Sequence, residues 1–165
     1  RAMVRICKEE NFHKRQGYEI MATLAGGTPA QRAMAQESLN RWWWPSLMMF
    51  GPHDKDSPNS DELARWGIKR KSNDELRQRF VNMTVVQATA IRLTLPDPSL
   101  KLDEITGDWA FGAIDWVEFW RVVKGDGFCN RERLAARRKA HDDGGWVRAA
   151  AAAYAEKHSR DTQAA

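Results

Sequence analysis

The chain of 165 residues contains two cysteines, no long hydrophobic run and no visible signal peptide. Cys7 and Cys129 lie far apart, and a single pair is not typical of the disulfide frameworks of small secreted proteins, so a reducing compartment is favoured. No apolar stretch approaches the roughly 20 residues that a membrane-spanning helix needs. The sequence therefore predicts a cytoplasmic protein without a membrane partner.

The sequence also lacks a capping residue at its beginning. A helical pattern is already present at Arg1, and no Ser, Thr, Asp or Asn precedes it to bond the free N–H groups of a helix start. We therefore expect a fragment that begins inside a helix of a larger protein. With 42% hydrophobic residues the chain can bury one substantial core, and its formal charge of +4 indicates an anionic partner: nucleic acid, a phosphate-bearing ligand or an acidic protein.

Helix signals dominate the rest of the sequence. The first helix is expected to reach about Leu24, and a second to begin at Thr28, which has Gln31 at capping-box spacing. Ser72 and Glu75 have the same spacing and predict a further helix start. Three shorter helices are predicted after it, at residues 115–124, 130–140 and 146–157.

The predicted architecture is all-α with one small β-hairpin. Residues 100–111 place turn residues between short apolar–polar alternations, which is typical of a hairpin. Pro45 should kink or end the second helix. The apolar face of the helix that starts at Ser72 is predicted to include Leu76, Phe80, Met83 and Ala90. Three segments are expected: a helical domain over residues 1–95, a helical extension over 96–158 and a disordered tail over 159–165.

The stretch "CKEENFHKRQG" places two ionisable side chains where a helix seam should be apolar. Glu10 and His13 continue a 3–4 spacing through Met3, Ile6, Gly17, Ile20 and Leu24, so burial of both is expected, and burial without a partner is costly. Residues three apart on a helix project the same way and can reach one metal ion. Three interpretations stay open: metal ligands, a buried Glu–His pair that is only structural, or a misjudged helix face.

The sequence contains a single E-x-x-H step. Helical bundles that hold two irons use two such steps and one further carboxylate from each of two other helices. The remaining histidines, His53, His141 and His158, belong to no matching step. The chain therefore carries at most half of a di-iron site.

A basic turn precedes the helix start at Ser72. Lys69, Arg70 and Lys71 lie beside the free N–H groups of a helix N-terminus, which favour phosphate, although a solvated basic turn is the commoner explanation. The segment "NRERLAARRKAH" is also basic, but a charged surface helix explains it better than a nucleic-acid-binding helix. We therefore expect no nucleic-acid partner.

The tryptophan block "RWWWP" suggests a subunit that pairs with others. Trp42, Trp43 and Trp44 occupy successive helix positions, so they cannot all face one direction, and some should meet another chain or domain.

Several strings resemble one known family over essentially the whole chain. They are "RAMVRICKEENFHKRQGYE", "RWWWPSLMMFGPHDKDSPNS", "IKRKSNDELRQRFV", "LTLPDP", "FGAIDWVEFWRVVKGDGFCNRERLAARRKA" and "GGWVRAAAAAYA". The resemblance is to the C-terminal half of the catalytic A subunits of bacterial phenylacetyl-CoA epoxidases. It implies a ferritin-like helical fold, so residues 1–95 would form the C-terminal part of a ferritin-like di-iron domain.

The same resemblance implies an activity, cofactors and partners. In that family a non-haem di-iron centre activates O2 and places one oxygen atom across the aromatic ring of phenylacetyl-CoA. Electrons come from NADPH through a separate reductase subunit that carries FAD and a [2Fe–2S] cluster. A structural ferritin-like C subunit, together with a small B subunit, completes the expected complex.

The resemblance also assigns roles to residues of this chain. Glu10 and His13 match the second E-x-x-H of the iron site, whereas the first one and two further carboxylates lie upstream in the family and are absent here. This chain alone is thus expected to be inactive. The implied CoA contacts are the basic turn with Lys69 and Arg70, then Asn73, Ser57 and Asn59. The alternative is a non-catalytic helical protein-interaction module in which Glu10 and His13 form a structural pair.

Overall fold

A computed structural model describes the backbone of residues 2–163 and the side chains of residues 3–159. Seven α-helices, one short 3-10 helix and two short strands make up this range. The helices are α1 Ala2–Gly26, α2 Pro29–Met48, α3 Ser60–Arg65, α4 Asn73–Ala90, α5 Trp116–Val123, α6 Phe128–Asp143 and α7 Gly145–Gln163, and the 3-10 helix is Asp54–Asp56. The strands β1 Lys101–Leu102 and β2 Trp109–Ala110 pair antiparallel. The predicted all-α fold with one small hairpin is confirmed.

The starts of α2 and α4 follow the predicted capping boxes. The Thr28 backbone N–H donates to Gln31 Oε1 at 2.8 Å, and the Gln31 N–H donates to Thr28 Oγ1 at 3.3 Å. In α4 the Ser72 N–H donates to Glu75 Oε2 at 2.8 Å, and the Glu75 N–H donates to Ser72 Oγ at 3.0 Å. Each box satisfies donors that a helix start otherwise leaves free.

Several features of the helices differ from the predicted ones. Helix α2 does not end at Pro45 but continues to Met48, because Leu47 and Met48 are buried in the core and hold the last turn in place. Helix α3 is not among the predicted helices, since six residues are too few for a periodic signal. The backbone of residues 159–163 is helical within α7, and residues 164 and 165 of the expected tail lie outside the described residues.

The core consists of two apolar clusters. One contains Trp43, Leu47, Val81 and Val85 from α2 and α4, and the other contains Ala25, Ala35 and Leu93. Neighbouring tryptophans of the block do face different directions: Trp43 is buried, Trp44 is half-buried and Trp42 is 40% exposed.

The buried face of α4 is not the predicted one. Leu76 and Ala90 are exposed, and Phe80 and Met83 are only half-buried. The polar side chains of Asn73 and Arg77 occupy the buried stripe, so an analysis based on hydropathy alone misplaces it. The buried positions of α4 are Asn73, Arg77, Val81, Val85 and Ala88.

The chain divides into two compact units, Arg1–Trp116 and Val117–Ala165. The boundary between the units follows Trp116, later than the one expected after residue 95, because the hairpin is hydrogen-bonded to α4. The Trp109 N–H donates to Asn82 Oδ1 at 2.9 Å, and Gln78 Nε2 donates to the Trp109 carbonyl at 2.8 Å. None of the helices in the described residues combines the length and apolar character needed to cross a bilayer.

Candidate functional site

Glu10 and His13 lie three residues apart on α1, and their side chains point the same way. His13 Nδ1 is 3.5 Å from Glu10 Oε1. The His13 side chain is 61% exposed and the Glu10 side chain is 70% exposed. The predicted burial of this pair is therefore not found in this chain. The physical reason is that a helix seam is buried only where another element covers it. Among the described residues of α1, the buried and half-buried ones lie toward the C-terminal end, and they are Tyr18, Met21, Ala22, Leu24 and Ala25.

The donor set of this pair suits one half of an iron site. A carboxylate and an imidazole are both common iron ligands, and their i, i+3 placement on one face lets both reach one ion. In the described part of the chain, no group of three or more His, Cys, Asp or Glu side chains is placed to hold a metal ion. Glu10 and His13 are therefore a candidate pair of ligands, and their role in a half-site stays a prediction.

An apolar cavity of about 280 Å³ lies beside His13. It is bounded by α1, α2, α4 and the segment that follows α4, all of which belong to the first unit. His13, Lys14 and Gln87 contribute polar groups to walls that are otherwise mostly apolar. The other lining residues are Gly17, Tyr18, Met21, Leu39, Phe80, Met83, Thr84, Ala88, Ile91 and Leu93. Such a cavity, apolar with a few polar groups, is typical of a small-molecule site.

A second recess, of about 190 Å³, lies at the N-terminal end of α4 and brings Lys69 and Arg70 together. Lys69 Nζ donates to Asp54 Oδ1 and to Ser60 Oγ, the latter at 3.1 Å. Arg70 is exposed. The recess is lined by Asp54, Ser60, Asp61, Ala64, Lys69, Arg70, Lys71 and Ser72.

The other three candidate CoA contacts do not line this recess. Asn73 is buried, and its Nδ2 donates to the Pro52 carbonyl at 2.7 Å, so in this structure its side chain holds the preceding loop. Ser57 is half-buried at the end of the 3-10 helix. Asn59 is exposed and takes a left-handed conformation, with φ 62°, immediately before α3.

Asp54 is the site residue that the sequence analysis misses. Its Oδ1 accepts hydrogen bonds from Lys69 Nζ and, at 3.1 Å, from Ser60 Oγ, while Oδ2 accepts from the Asn73 backbone N–H at 3.0 Å. These donors, the Lys69 ammonium first among them, lower the pKa of the Asp54 carboxyl below its ordinary value and keep it ionised. No periodicity distinguishes one aspartate in the polar stretch "GPHDKDSPNS", so no sequence signal could have selected it.

Comparison with known proteins agrees with the resemblance read from the sequence. Residues 1–146 match the family described as phenylacetic acid catabolic protein. The chain is also 56% identical over 161 residues to the A subunit of the 1,2-phenylacetyl-CoA epoxidase of Escherichia coli (strain K12). That alignment covers 97% of this chain and 52% of that protein, so the chain spans about half the length of this curated relative. With its mostly helical fold and a family match over most of its length, the chain belongs to the phenylacetic acid catabolic protein family.

Proposed function

We propose that this chain is part of the oxygenase subunit that epoxidises the aromatic ring of phenylacetyl-CoA in phenylacetate catabolism, using O2 and electrons from NADPH. The observation that carries the proposal is the 56% identity, over nearly the whole chain, to a protein named as the A subunit of such an epoxidase. Activity belongs to the longer protein and its complex, and the chain by itself is inactive. The partners are a reductase subunit with FAD and a [2Fe–2S] cluster, a structural ferritin-like C subunit, and a small B subunit.

Glu10 and His13 would hold one iron of the di-iron centre, and the remaining ligands would come from protein upstream of Arg1. When bound, the centre supplies the activation of O2. The chain's own contribution is to present one carboxylate and one imidazole from the same face of a helix. The exposure of both side chains supports this role, because ligands that complete a shared site must be open to the protein that supplies the others.

The two recesses at either end of α4 suit the two ends of an acyl-CoA. The basic recess lies at Ser72, and the apolar cavity is lined along α4 from Phe80 to Ala88, so the helical rise from Ser72 to its nearest lining residue is about 12 Å at about 1.5 Å per residue. An extended pantetheine arm spans a separation of this kind. The phosphates would bind near Lys69 and Arg70 at the helix N-terminus, and the aromatic acyl group would lie in the cavity beside His13.

Iron content tests the proposal directly. In the full-length protein, Glu10→Ala and His13→Ala should each lower bound iron to roughly half or less, because each removes a ligand from one of two irons. Glu9→Ala is the matched control, since Glu9 pairs with Arg5 at 3.2 Å and lies on another face of α1. Its iron content should equal that of the wild type. Unchanged iron in both site variants would contradict the metal assignment.

The exposure of the Glu10–His13 pair also favours a second candidate, a non-catalytic helical interaction module. In that case the 3.5 Å contact is only a structural pair on a surface that docks another protein. The same experiment separates the two candidates. A full-length protein that binds no iron and does not oxidise phenylacetyl-CoA, even with its partner subunits present, would support the interaction module.

A further inference from the structure

Asp54 joins three segments of the chain at the basic recess. Its carboxylate belongs to the 3-10 helix, and it accepts hydrogen bonds from Ser60 at the start of α3, from Lys69 and from the Asn73 backbone N–H at the start of α4. The side chain is 21% exposed, so these bonds form in a partly desolvated place. One carboxylate thus fixes the relative positions of the elements that form the recess.

The Lys69 ammonium keeps one donor for a ligand. An ammonium group has three N–H donors. One bonds Asp54 Oδ1 and one bonds Ser60 Oγ at 3.1 Å, so a single donor remains. The Lys69 side chain is 19% exposed and lines the recess. Because a free lysine loses considerable rotamer entropy on binding, a lysine already held in place binds a phosphate oxygen at a lower entropic cost.

A carboxylate beside a phosphate site normally weakens anion binding, and the recess contains two of them. Asp61 is exposed, and its side chain makes no hydrogen bond or ion pair within the described part of the chain. Asp54 differs because its carboxylate holds Lys69 and Ser60, which line the recess, and the backbone of Asn73 at the start of α4. Replacing each aspartate in turn therefore distinguishes a carboxylate that only repels a phosphate from one that positions Lys69.

We infer that Asp54 is a positioning residue of the acyl-CoA site, which holds the Lys69 ammonium so that its third donor meets a phosphate oxygen of the CoA moiety. This inference rests on the proposed function, because it needs an acyl-CoA at this recess. Asp54 itself touches no ligand; it acts through Lys69. Arg70, which is exposed at the same recess, supplies charge that does not depend on Asp54.

The test measures phenylacetyl-CoA binding by calorimetry, and the steady-state constants kcat and KM, in the full-length protein with its partner subunits. Asp54→Asn should raise Kd and KM about 5- to 20-fold and leave kcat unchanged, since the loss is one charge-assisted hydrogen bond made to the ligand by Lys69. Asp61→Asn, the matched control, should bind as tightly as the wild type or tighter, because only a repelling charge is removed.

A double variant identifies the route of the effect. If Asp54 acts through Lys69, then Asp54→Asn combined with Lys69→Met should bind no more weakly than Lys69→Met alone. Additive losses would overturn the inference, because Asp54 would then act on the recess as a whole. Tighter binding by Asp54→Asn, or equal weakening in the Asp54 and Asp61 variants, would overturn it as well.

Two further outcomes separate this inference from the proposed function. If the wild-type complex binds no phenylacetyl-CoA, the proposed function itself fails. If the wild type binds it and Lys69→Met has no effect, the function stands and the inference is overturned. Should Asp54→Asn not fold, Ser60→Ala replaces it, since this variant removes the second acceptor of Lys69 and keeps Asp54. It should weaken binding about two- to threefold, and unchanged binding would overturn the inference.

Discussion

Arg77 is a buried charge whose donors are matched to surrounding acceptors. Only 4% of the side chain is exposed, yet its Nε donates to the Leu47 carbonyl at 3.2 Å, its Nη1 to Asp74 Oδ1 at 2.6 Å and its Nη2 to the Gly51 carbonyl. The guanidinium lies over the ring of Trp116, at 5.1 Å from the ring centroid. Such a charge is tolerated in a core because these three hydrogen bonds and the Trp116 ring replace contacts with water.

Replacing Arg77 should destabilise the chain strongly. Arg77→Ala leaves the Leu47 and Gly51 carbonyls without this donor and removes one partner of Asp74, so the free energy of unfolding should fall by about 2–5 kcal/mol. Arg79→Ala, two positions on and exposed, should change it by about 0.5 kcal/mol or less. Urea unfolding followed by circular dichroism measures both values. Equal losses in the two variants would show that the buried network contributes nothing of its own.

Helix α4 depends on its capping box for a well-defined start. The Ser72 hydroxyl and the Glu75 carboxylate each bond the backbone N–H of the other residue. The bond from the Ser72 backbone N–H is the main reason that the pKa of Glu75 is below its ordinary value of 4.5. A carboxyl with a lowered pKa stabilises the folded state above its ordinary pKa, and this contribution is lost as the pH falls through the lowered value. The box therefore stabilises α4 fully at neutral pH.

Removing the cap should have a moderate effect on stability. Ser72→Ala should lower the free energy of unfolding by about 1 kcal/mol, whereas Ser72→Asp, which can still accept the Glu75 N–H, should be close to the wild type. Ser38→Ala, at an exposed position inside α2, is the control and should be neutral or slightly stabilising. Thermal unfolding at neutral pH measures the three variants. An Ala variant as stable as the Asp variant would disprove the role of the cap.

The buried apolar residues are distributed unevenly over the chain. Every residue of the two core clusters lies in the first unit, on α1, α2, α4 and the segment after α4. No apolar side chain of α6, nor any described one of α7, is buried, and Leu134, Trp146 and Tyr154 are each more than half exposed. Apolar burial is the main driving force for folding, so local stability should differ between the units.

Hydrogen exchange should reveal this difference along the chain. Amides in α2 and α4 should exchange slowest, and those in α6 and α7 should exchange at least about 100-fold faster, because their opening exposes little additional apolar surface. Exchange followed by mass spectrometry at neutral pH gives the rates for each helix. Protection of α6 and α7 equal to that of α4 would contradict the prediction.

Local chemistry determined most of the helices and the starts of α2 and α4. The capping boxes at Thr28 and Ser72 involve residues three apart, and the hairpin needs only neighbouring strands, so both are visible in the sequence. The i, i+3 placement of Glu10 and His13 follows from helix geometry in the same way, and their common face is confirmed. Their role as iron ligands stays a prediction.

Tertiary structure decided what is buried and how the polar groups pair. Asp54 and Lys69 are 15 residues apart, and Arg77 bonds carbonyls 26 and 30 residues before it, so no local pattern contains these contacts. The seam of α1 is a second example of a feature that local sequence does not decide. Its spacing predicts an apolar contact, but burial requires a covering element, and only the arrangement of the helices determines whether one is there.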